Sequence, residues 1–221
     1  IALAAVGRSR PNGGAGLRPE VKRELSVLMR PQVVGALLTT VLSAGAMFTL
    51  YTYISPVLQR ITHATPSFVT LMLVLIGVGF SIGNYLGGRF ADRSVNGTLK
   101  GFLTLLIIVM ATMPWLASTE LGAAVAMVVW GTATFGVVPP LQMRVMRVAH
   151  EAPGLSSSVN IGAFNLGNAL GAAAGGVVIS SGLGYSFVPA MGALIAALGL
   201  LLVIFSSSRH AMQEVCGAEA E

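Results

Sequence analysis

The side chains that could do chemistry inside the apolar stretches of this chain are aromatic or neutral and polar. Eight of them lie within three such stretches: Phe48, Tyr51, Thr52, Trp130, Thr134, Asn160, Asn165 and Asn168. Their rings stack, and their hydroxyl and amide groups exchange hydrogen bonds, without fixed charge. A wall of such groups suits a sugar, a nucleoside or an uncharged amphipathic molecule better than a strongly charged solute. Hydrogen bonds between helices and ordinary packing are the alternative for each residue.

The ionisable residues favour neither an enzyme nor a metal site. The chain has one aspartate, Asp92, and three scattered histidines, His63, His150 and His210. No apolar stretch holds an acidic residue, so neither an acid–base pair nor a metal cluster is visible. The single cysteine, Cys216, excludes an internal disulfide. We therefore expect no enzyme activity and no cofactor.

A charge cluster, "GRFADRS", follows one apolar stretch directly. Asp92 stands there between Arg89 and Arg93, four residues after Gly88. A carboxylate at a membrane boundary can accept hydrogen bonds from the N-terminal amides of a neighbouring helix, and the helix dipole favours this contact. The pattern predicts a gating loop that holds one conformation closed. A positively charged anchor with a turn is the alternative.

The elements that position these residues are membrane-spanning helices. Hydrophobic residues make up 54% of the chain and charged residues 10%, whereas soluble domains carry about a quarter charged residues. The sequence therefore predicts an all-α membrane protein, since a helix satisfies its own backbone hydrogen bonds in lipid. Six windows are long and apolar enough to cross a bilayer: 33–53, 67–87, 101–118, 121–142, 157–180 and 185–205.

The lysines and arginines predict the orientation of these spans. With six crossings, Arg60 falls on one side and the other twelve of the thirteen Lys and Arg residues fall on the opposite side. The excess of positive charge marks the cytoplasmic side. We expect a multi-pass protein of the inner membrane with both ends of this segment in the cytoplasm. The isoelectric point near 10.0 then reflects topology and needs no nucleic acid partner.

The first residues of the chain predict that it is a fragment of a longer protein. Residues 1–6, "IALAAV", are predicted to be the end of an upstream transmembrane helix. Residues 7–32 form a cytoplasmic central loop, in which "RPEVKRELSVLMRPQ" resembles a basic amphipathic helix at the membrane interface. Residues 206–221 form a cytoplasmic tail.

Two stretches of the chain nearly repeat each other. "GFSIGNYLGG" (79–88) and "AFNLGNALGA" (163–172) lie 84 positions apart, which is the length of three spans with their loops. Because three is odd, the two copies cross the membrane in opposite directions. This pattern predicts two inverted three-helix repeats, 33–118 and 119–205, as in secondary transporters. Chance similarity and convergent packing are the alternatives.

Glycines recur every four residues in and after both copies. They are Gly79, Gly83 and Gly87 in the first, and Gly167, Gly171 and Gly175 in the second. This spacing leaves gaps along one helix face, so that another helix can approach closely. Smooth faces also suit helices that slide or rock on a partner, with static packing as the alternative.

The stretch "GNYLGGRFADR" resembles the cytoplasmic-loop signature of the major facilitator superfamily. "RPQVVGALLTTVLSAGAMFTLYTYISPVL" and "SSVNIGAFNLGNALGAAAGG" are similar to the seventh and eleventh helices of its twelve-span drug and sugar efflux permeases, including arabinose-efflux-type proteins. Gly88, Asp92 and Arg93 match the signature. Val95 and Asn96 depart from it, because the family pattern has glycine and then basic residues there. The resemblance covers the whole chain as the C-terminal half, helices seven to twelve.

The resemblance implies the function. It implies a secondary active transporter that exports a small neutral or amphipathic solute by alternating access, as a proton-coupled antiporter. It places the spans 33–53 and 121–142 along a central cavity, which makes Phe48, Tyr51, Thr52, Trp130 and Thr134 a candidate substrate path. Asn160, Asn165 and Asn168 join this path because an amide in a span is costly unless it points inward to a hydrogen-bond partner. The implied partners are the lipid bilayer, a small-molecule substrate and an N-terminal six-helix half, which would supply the coupling residue. The competing hypothesis is a non-transporting scaffold or a half-size unit that pairs with a partner.

Overall fold

Eight α-helices follow one another in the part of the chain that the computed structural model describes, the backbone of residues 26–218 and the side chains of residues 26–207. They are α1 (Pro31–Tyr51), α2 (Ile54–Ile61), α3 (Pro66–Ala91), α4 (Val95–Leu116), α5 (Glu120–Gly136), α6 (Val138–Val148), α7 (Pro153–Ser180) and α8 (Val188–Ala218). The predicted upstream helix end (1–6) and most of the predicted interfacial helix lie outside the described residues.

Six stretches of these helices are long and apolar enough to span a membrane. They are Pro31–Tyr51, Pro66–Ala91, Val95–Leu116, Glu120–Val148, Pro153–Ser180 and Tyr185–Ser207. The predicted all-α fold with six spans is therefore confirmed.

The helices start at hydroxyl caps in three of the predicted connections. Thr65, Ser94 and Thr119 each accept the backbone N–H of the residue three positions ahead, at 3.1–3.3 Å.

Two spans are interrupted, at opposite ends of the bundle. The predicted span 33–53 ends at Tyr51, and α2 follows within the predicted connection. Pro56, in the first turn of α2, has no N–H to donate to the carbonyl of Thr52, and the Thr52 hydroxyl donates to the carbonyl of Phe48 at 2.8 Å. The predicted span 121–142 is divided at Val137, directly before Pro139 and Pro140. Proline lacks the N–H that α5 would need to continue, but it fits the first turn of α6.

Other boundaries differ from the predicted spans by up to a few turns. Helix α4 begins at Val95 and α7 at Pro153, before the predicted starts at 101 and 157, and α8 runs on to Ala218, beyond the predicted end at 205. The reason is that hydropathy locates the apolar centre of a helix. Caps and backbone hydrogen bonds decide where the helix ends.

The helix packing has the symmetry of an inverted repeat. Helix α1 packs mainly on α7, and α5 packs mainly on α3, while α8 also contacts α1 and α4 contacts α5. Exchanging the first three spans with the last three maps each pair onto the other. The first and last spans of each trio therefore have equivalent neighbours, as two inverted three-helix repeats require.

We name the two ends of the bundle by their charge. The basic end carries Arg30, Arg93 and Arg147, and the far end carries Arg60. Between them, the largest buried cluster forms where α1, α3, α4 and α5 meet, and it includes Leu50, Met72, Leu106, Met127 and Trp130. This core fixes the position of the face of α5 that carries Trp130.

Candidate functional site

The glycine-lined interface between α1 and α7, which we call the first seam, is a contact between the two helix backbones. Its glycines face backbone carbonyls that also repeat every four residues: Gly167 faces Val41, Gly171 faces Gly45, and Gly175 faces Thr49. A Cβ at Gly175 would come within 2.9 Å of the Thr49 oxygen, and the other two glycines are more crowded still. Only glycine therefore permits this approach of the two helices.

The second seam, between α3 and α5, repeats the same arrangement. The facing pairs are Gly79 with Val128, Gly83 with Thr132, and Gly87 with Gly136. A Cβ at Gly79 would lie 2.5 Å from the Val128 oxygen. In both seams the residue numbers of the two helices rise together, so each pair runs parallel. The structure thus places all six predicted glycines against the backbone of a neighbouring helix.

Six rings from four helices form a continuous aromatic cluster beside the seams: Phe48, Tyr51, Phe80, Trp130, Phe135 and Phe164. The Tyr51 ring stacks on Trp130 at a centroid distance of 6.2 Å and an interplanar angle of 13°. Phe80 lies 6.1 Å from Trp130 and 4.0 Å from Phe135. Phe48 joins Tyr51 (5.5 Å) to Phe164 (6.4 Å). Of these rings Tyr51 is 37% exposed, whereas Trp130 is completely buried.

Three buried polar atoms near this cluster or on its helices have no hydrogen-bond partner within the described part of the chain. They are the indole Nε1 of Trp130, the hydroxyl of Thr134 and the amide Oδ1 of Asn168. Trp130 and Thr134 lie one turn apart on α5. An unsatisfied buried polar group costs about 1–3 kcal/mol. These atoms are therefore groups that a hydroxylated solute or water would satisfy.

The predicted asparagines are not brought to one place. Asn160 is buried and accepts from the Thr40 hydroxyl at 2.8 Å, and its amide nitrogen donates to Gln142 at 2.6 Å. Gln142 in turn donates to Ser157 at 2.8 Å. Asn160 thus joins α1, α6 and α7, and its amide already has partners in other helices. Asn165 and Thr52 are exposed, and Asn168 is half-buried.

Polar contacts close both ends of the first seam. At the far end the Tyr53 hydroxyl donates to the carbonyl of Ala172 at 2.9 Å. At the basic end Arg30 donates two hydrogen bonds to the carboxylate of Glu151, at 2.7 and 3.1 Å. This carboxylate raises the pKa of Arg30 above its ordinary value. Together with Asn160, these contacts clamp α1 to α7 and its N-terminal connection.

The predicted gating loop is a tight turn at the basic end. Asp92 follows the last residue of α3 and is exposed, and Ser94 caps α4. Arg89 donates to the hydroxyl of Tyr85 at 3.0 Å. A Cβ at Gly88 would meet nothing within 4 Å. Nothing in the described residues therefore crowds this glycine, and the face that carries it is open.

Sequence reasoning missed Phe80, Phe135 and Phe164 as members of the cluster. A signal for two of them was present, because Phe80 and Phe164 are the phenylalanines of the repeated stretch. The structure places them symmetrically, Phe80 against α5 and Phe164 against α1. Phe135 joins the aromatic cluster because α5 packs on α3. The spacing of residues along one helix does not show which helices pack together.

The arrangement offers ring faces for stacking and neutral groups for hydrogen bonding. The described residues contain no group of three or more His, Cys, Asp or Glu side chains that could hold a metal ion. The stretch "GFSIG" has the spacing of a hydrolase nucleophile elbow, but it lies in the middle of α3, and the Ser81 hydroxyl donates to the carbonyl of Gly77 at 3.0 Å. An elbow needs a strand-to-helix turn, so Ser81 is not placed as a nucleophile.

Comparison with known proteins gives one family. The family model of the Major Facilitator Superfamily matches residues 2–164. The chain is 76% identical over 220 residues to the inner membrane transport protein YdhP of Escherichia coli strain K12, an alignment that covers 100% of this chain and 56% of that protein.

More distant relatives agree with this assignment. The uncharacterized MFS-type transporter YfhI of Bacillus subtilis strain 168 is 32% identical over 196 residues, which are 89% of this chain and 49% of that protein. A probable sugar efflux transporter of Helicobacter acinonychis strain Sheeba is 32% identical over 183 residues, which are 82% of this chain and 46% of that protein. The chain spans about half the length of the curated relatives that it matches.

Proposed function

This chain belongs to the major facilitator superfamily, and on that premise we propose that the protein carrying it exports a small neutral or amphipathic solute by alternating access. The chain supplies one six-helix half, and a companion half, N-terminal to it, supplies the other. The basic end faces the cytoplasm, in keeping with the excess of positive charge. The protein lies in the inner membrane.

The aromatic cluster, with its unpaired Trp130 and Thr134, is the observation that carries the proposal. Ring faces pack against the apolar faces of a sugar or nucleoside, and the indole N–H and the hydroxyl can hydrogen-bond its oxygens. No Asp, Glu, Lys, Arg or His belongs to the cluster, which favours an uncharged solute. A sugar as the substrate class also agrees with the name of the Helicobacter relative.

Access to the cluster passes the exposed Tyr51. In the described conformation Tyr51 covers Trp130, so a solute meets Tyr51, Thr52 and Asn165 first. Displacement of the Tyr51 ring then opens Trp130 and Thr134 beneath it. Tyr51 thus acts as the movable cover of the binding surface.

The exposed faces of α3 and α7 support the companion half. Apolar side chains such as Val74, Val78, Ile161 and Leu166 are about half exposed there. The exposed Asp92 completes this face at the basic end, where it accepts from a helix N-terminus of the companion half in one conformation. The described spans contain no carboxylate in their interiors, so a proton-coupling group comes from the companion half.

The test is an export assay on the full-length protein with a panel of labelled sugars, nucleosides and cationic dyes. Thr134→Val removes the unpaired hydroxyl and keeps the shape of the side chain. We expect thermal stability to be unchanged or higher by about 1 kcal/mol, because an unsatisfied buried hydroxyl is lost. Export of the neutral substrate should fall about tenfold, the effect of one lost hydrogen bond of about 1.4 kcal/mol.

A matched control is Thr112→Val, since the Thr112 hydroxyl already donates within its own helix. This variant should export normally. In the same assay Asp92→Asn should slow export without lowering the amount of protein in the membrane. Export of only charged solutes, or normal export by Thr134→Val, would contradict the proposed binding surface. Absence of any export across the panel would favour the scaffold hypothesis.

A further inference from the structure

The basic end of the bundle contains a cavity that the proposed transport path does not use. It has a volume of about 820 Å³ and lies between the N-terminal ends of α1 and α4, helix α6, and the part of α8 near Ser206. Three arginines line it, Arg30, Arg144 and Arg147, together with the neutral side chains of Gln32 and Asn96. The aromatic cluster contributes none of its lining residues.

The charges of this cavity are not balanced. Arg30 is paired with Glu151. The described part of the chain has two other carboxylates, Asp92 and Glu120, and neither forms an ion pair with Arg144 or Arg147. Among the described residues, the two guanidinium groups therefore leave the cavity with an excess of about two positive charges.

Arg144 differs from an ordinary charged residue at a membrane boundary. It is half-buried, its Nη2 donates to the hydroxyl of Ser206, and its Nη1 is enclosed without a hydrogen-bond partner within the described residues. Charges that serve only to orient a protein in the membrane lie in water, where solvation compensates them. Placing a guanidinium between helices is unfavourable unless an anion compensates it.

We propose that this cavity binds a phosphate group. Arginine's planar donors match phosphate oxygens in pairs, and the amides of Gln32 and Asn96 add neutral donors to the same wall. One phosphate carries one or two negative charges, which matches the excess left by Arg144 and Arg147. A basic pocket between transmembrane helices at this boundary is the arrangement that takes a phospholipid headgroup, and a free phosphate has the same chemistry.

Binding to the full-length protein in detergent tests the proposal without any transport assay. The probes are phosphatidylglycerol, inorganic phosphate, and diacylglycerol with the same acyl chains but no phosphate. Native mass spectrometry counts retained lipid, and thermal unfolding measures protection by each probe. Failure of this site would leave the export results unchanged, so the two proposals fail separately.

Two variants and one control isolate the cavity. Arg147→Gln changes an exposed side chain and keeps the half-buried Arg144 in place, and the double variant Arg144→Gln with Arg147→Gln removes both charges. The control, Arg60→Gln with Arg89→Gln, removes two charges outside the cavity. Phosphate affinity should fall about tenfold in the single variant, as expected for one lost charged hydrogen bond, and further in the double variant. The control should bind like the unaltered protein.

The outcomes separate the source of the phosphate. Protection by phosphatidylglycerol alone assigns a lipid headgroup, and equal protection by inorganic phosphate assigns a free anion; both support the site. Equal protection by diacylglycerol, or an equal loss in the control variant, would overturn it. Phosphate binding that arises only after the segment beyond Ser207 is deleted would also overturn it, because the carboxylates of that segment would then be the native occupant.

Discussion

The two glycine seams bring helices together in the same way but differ in the side-chain contacts that accompany them. In each, three glycines of a peripheral helix lie against backbone carbonyls of a central helix, at a repeat of four residues. The first seam, α1 with α7, adds hydrogen bonds at both ends through Tyr53 and Asn160. In the second seam, α3 with α5, no side-chain hydrogen bond joins the two helices among the described residues, and aromatic contacts of Phe80 stand in their place.

The difference separates two roles of an interface. Glycine sets how close two helices come, because a carbonyl occupies the space that a Cβ would need. Directional hydrogen bonds set the register along the axis and the rotation about it. The first seam is fixed in both respects, whereas only shape fixes the second. For the proposed transport cycle we infer that α3 shifts on α5 while α1 and α7 move together.

The largest expected effect comes from filling the space that the seam glycines leave between the paired helices. Gly83→Leu in the second seam and Gly171→Leu in the first force a side chain against the carbonyl of Thr132 or Gly45. Overpacking of this kind costs about 1–3 kcal/mol or more. We expect membrane insertion to persist, export to be abolished and thermal stability to fall in both variants.

Glycines with open space provide the control for that experiment. A Cβ at Gly77 on α3 or at Gly162 on α7 would meet nothing within 4 Å. Leucine at either position should leave the stability in detergent unchanged. An equal loss of stability in the Gly77→Leu and Gly83→Leu variants would show that any glycine of α3 is sensitive to leucine and that the contact with α5 is not the cause.

A smaller effect is expected when the buried network of the first seam is removed. Asn160→Leu leaves Thr40 and Gln142 without their partner in a buried place, at a cost of about 1–3 kcal/mol. Asn165→Leu, on the exposed face of the same helix, is the matched variant and should unfold at the unaltered temperature. If Asn160→Leu unfolded at as high a temperature as Asn165→Leu, the hydrogen bonds of Asn160 would not stabilise the contact between α1 and α7.

The smallest effect is expected at the far end of the first seam. Tyr53→Phe removes one hydroxyl that donates to Ala172, which is worth about 1 kcal/mol. Tyr85→Phe removes an exposed hydroxyl that only accepts from Arg89 and serves as the control. If the single hydroxyl holds the register, spin labels on α1 and α7 should show a broader distance distribution in Tyr53→Phe. An unchanged distance distribution would show that the Tyr53 hydroxyl does not set the register and that Tyr53 contributes only packing contacts.

Much of the fold was predictable because its signals are local. Long apolar windows indicated the six spans, and glycines at every fourth position indicated helix faces that approach closely. Pro139 and Pro140 are a local signal at the interruption of the fourth span, since proline acts on its own helix. The break after Tyr51, ahead of Pro56, was not predicted.

The partners of these features were not predictable, because they depend on which helices pair. Gly45 and Thr132 meet the glycine rows only after α1 is placed on α7 and α5 on α3. Asn160 was grouped with the candidate substrate path, but Gln142, 18 positions earlier, occupies its amide. Trp130 was grouped with the candidate substrate path and is buried, but its cover by Tyr51 joins positions far apart in the sequence.

The most direct test of the difference between the seams is a distance measurement by electron–electron double resonance. Spin labels replace Leu73 and Val125 across the second seam, and Leu38 and Val177 across the first; all four positions are exposed. Full-length protein is measured with and without its transported solute. The account predicts one narrow distance across the first seam in both states and a shifted or divided distribution across the second. Equal, unchanged distributions across both seams would contradict it.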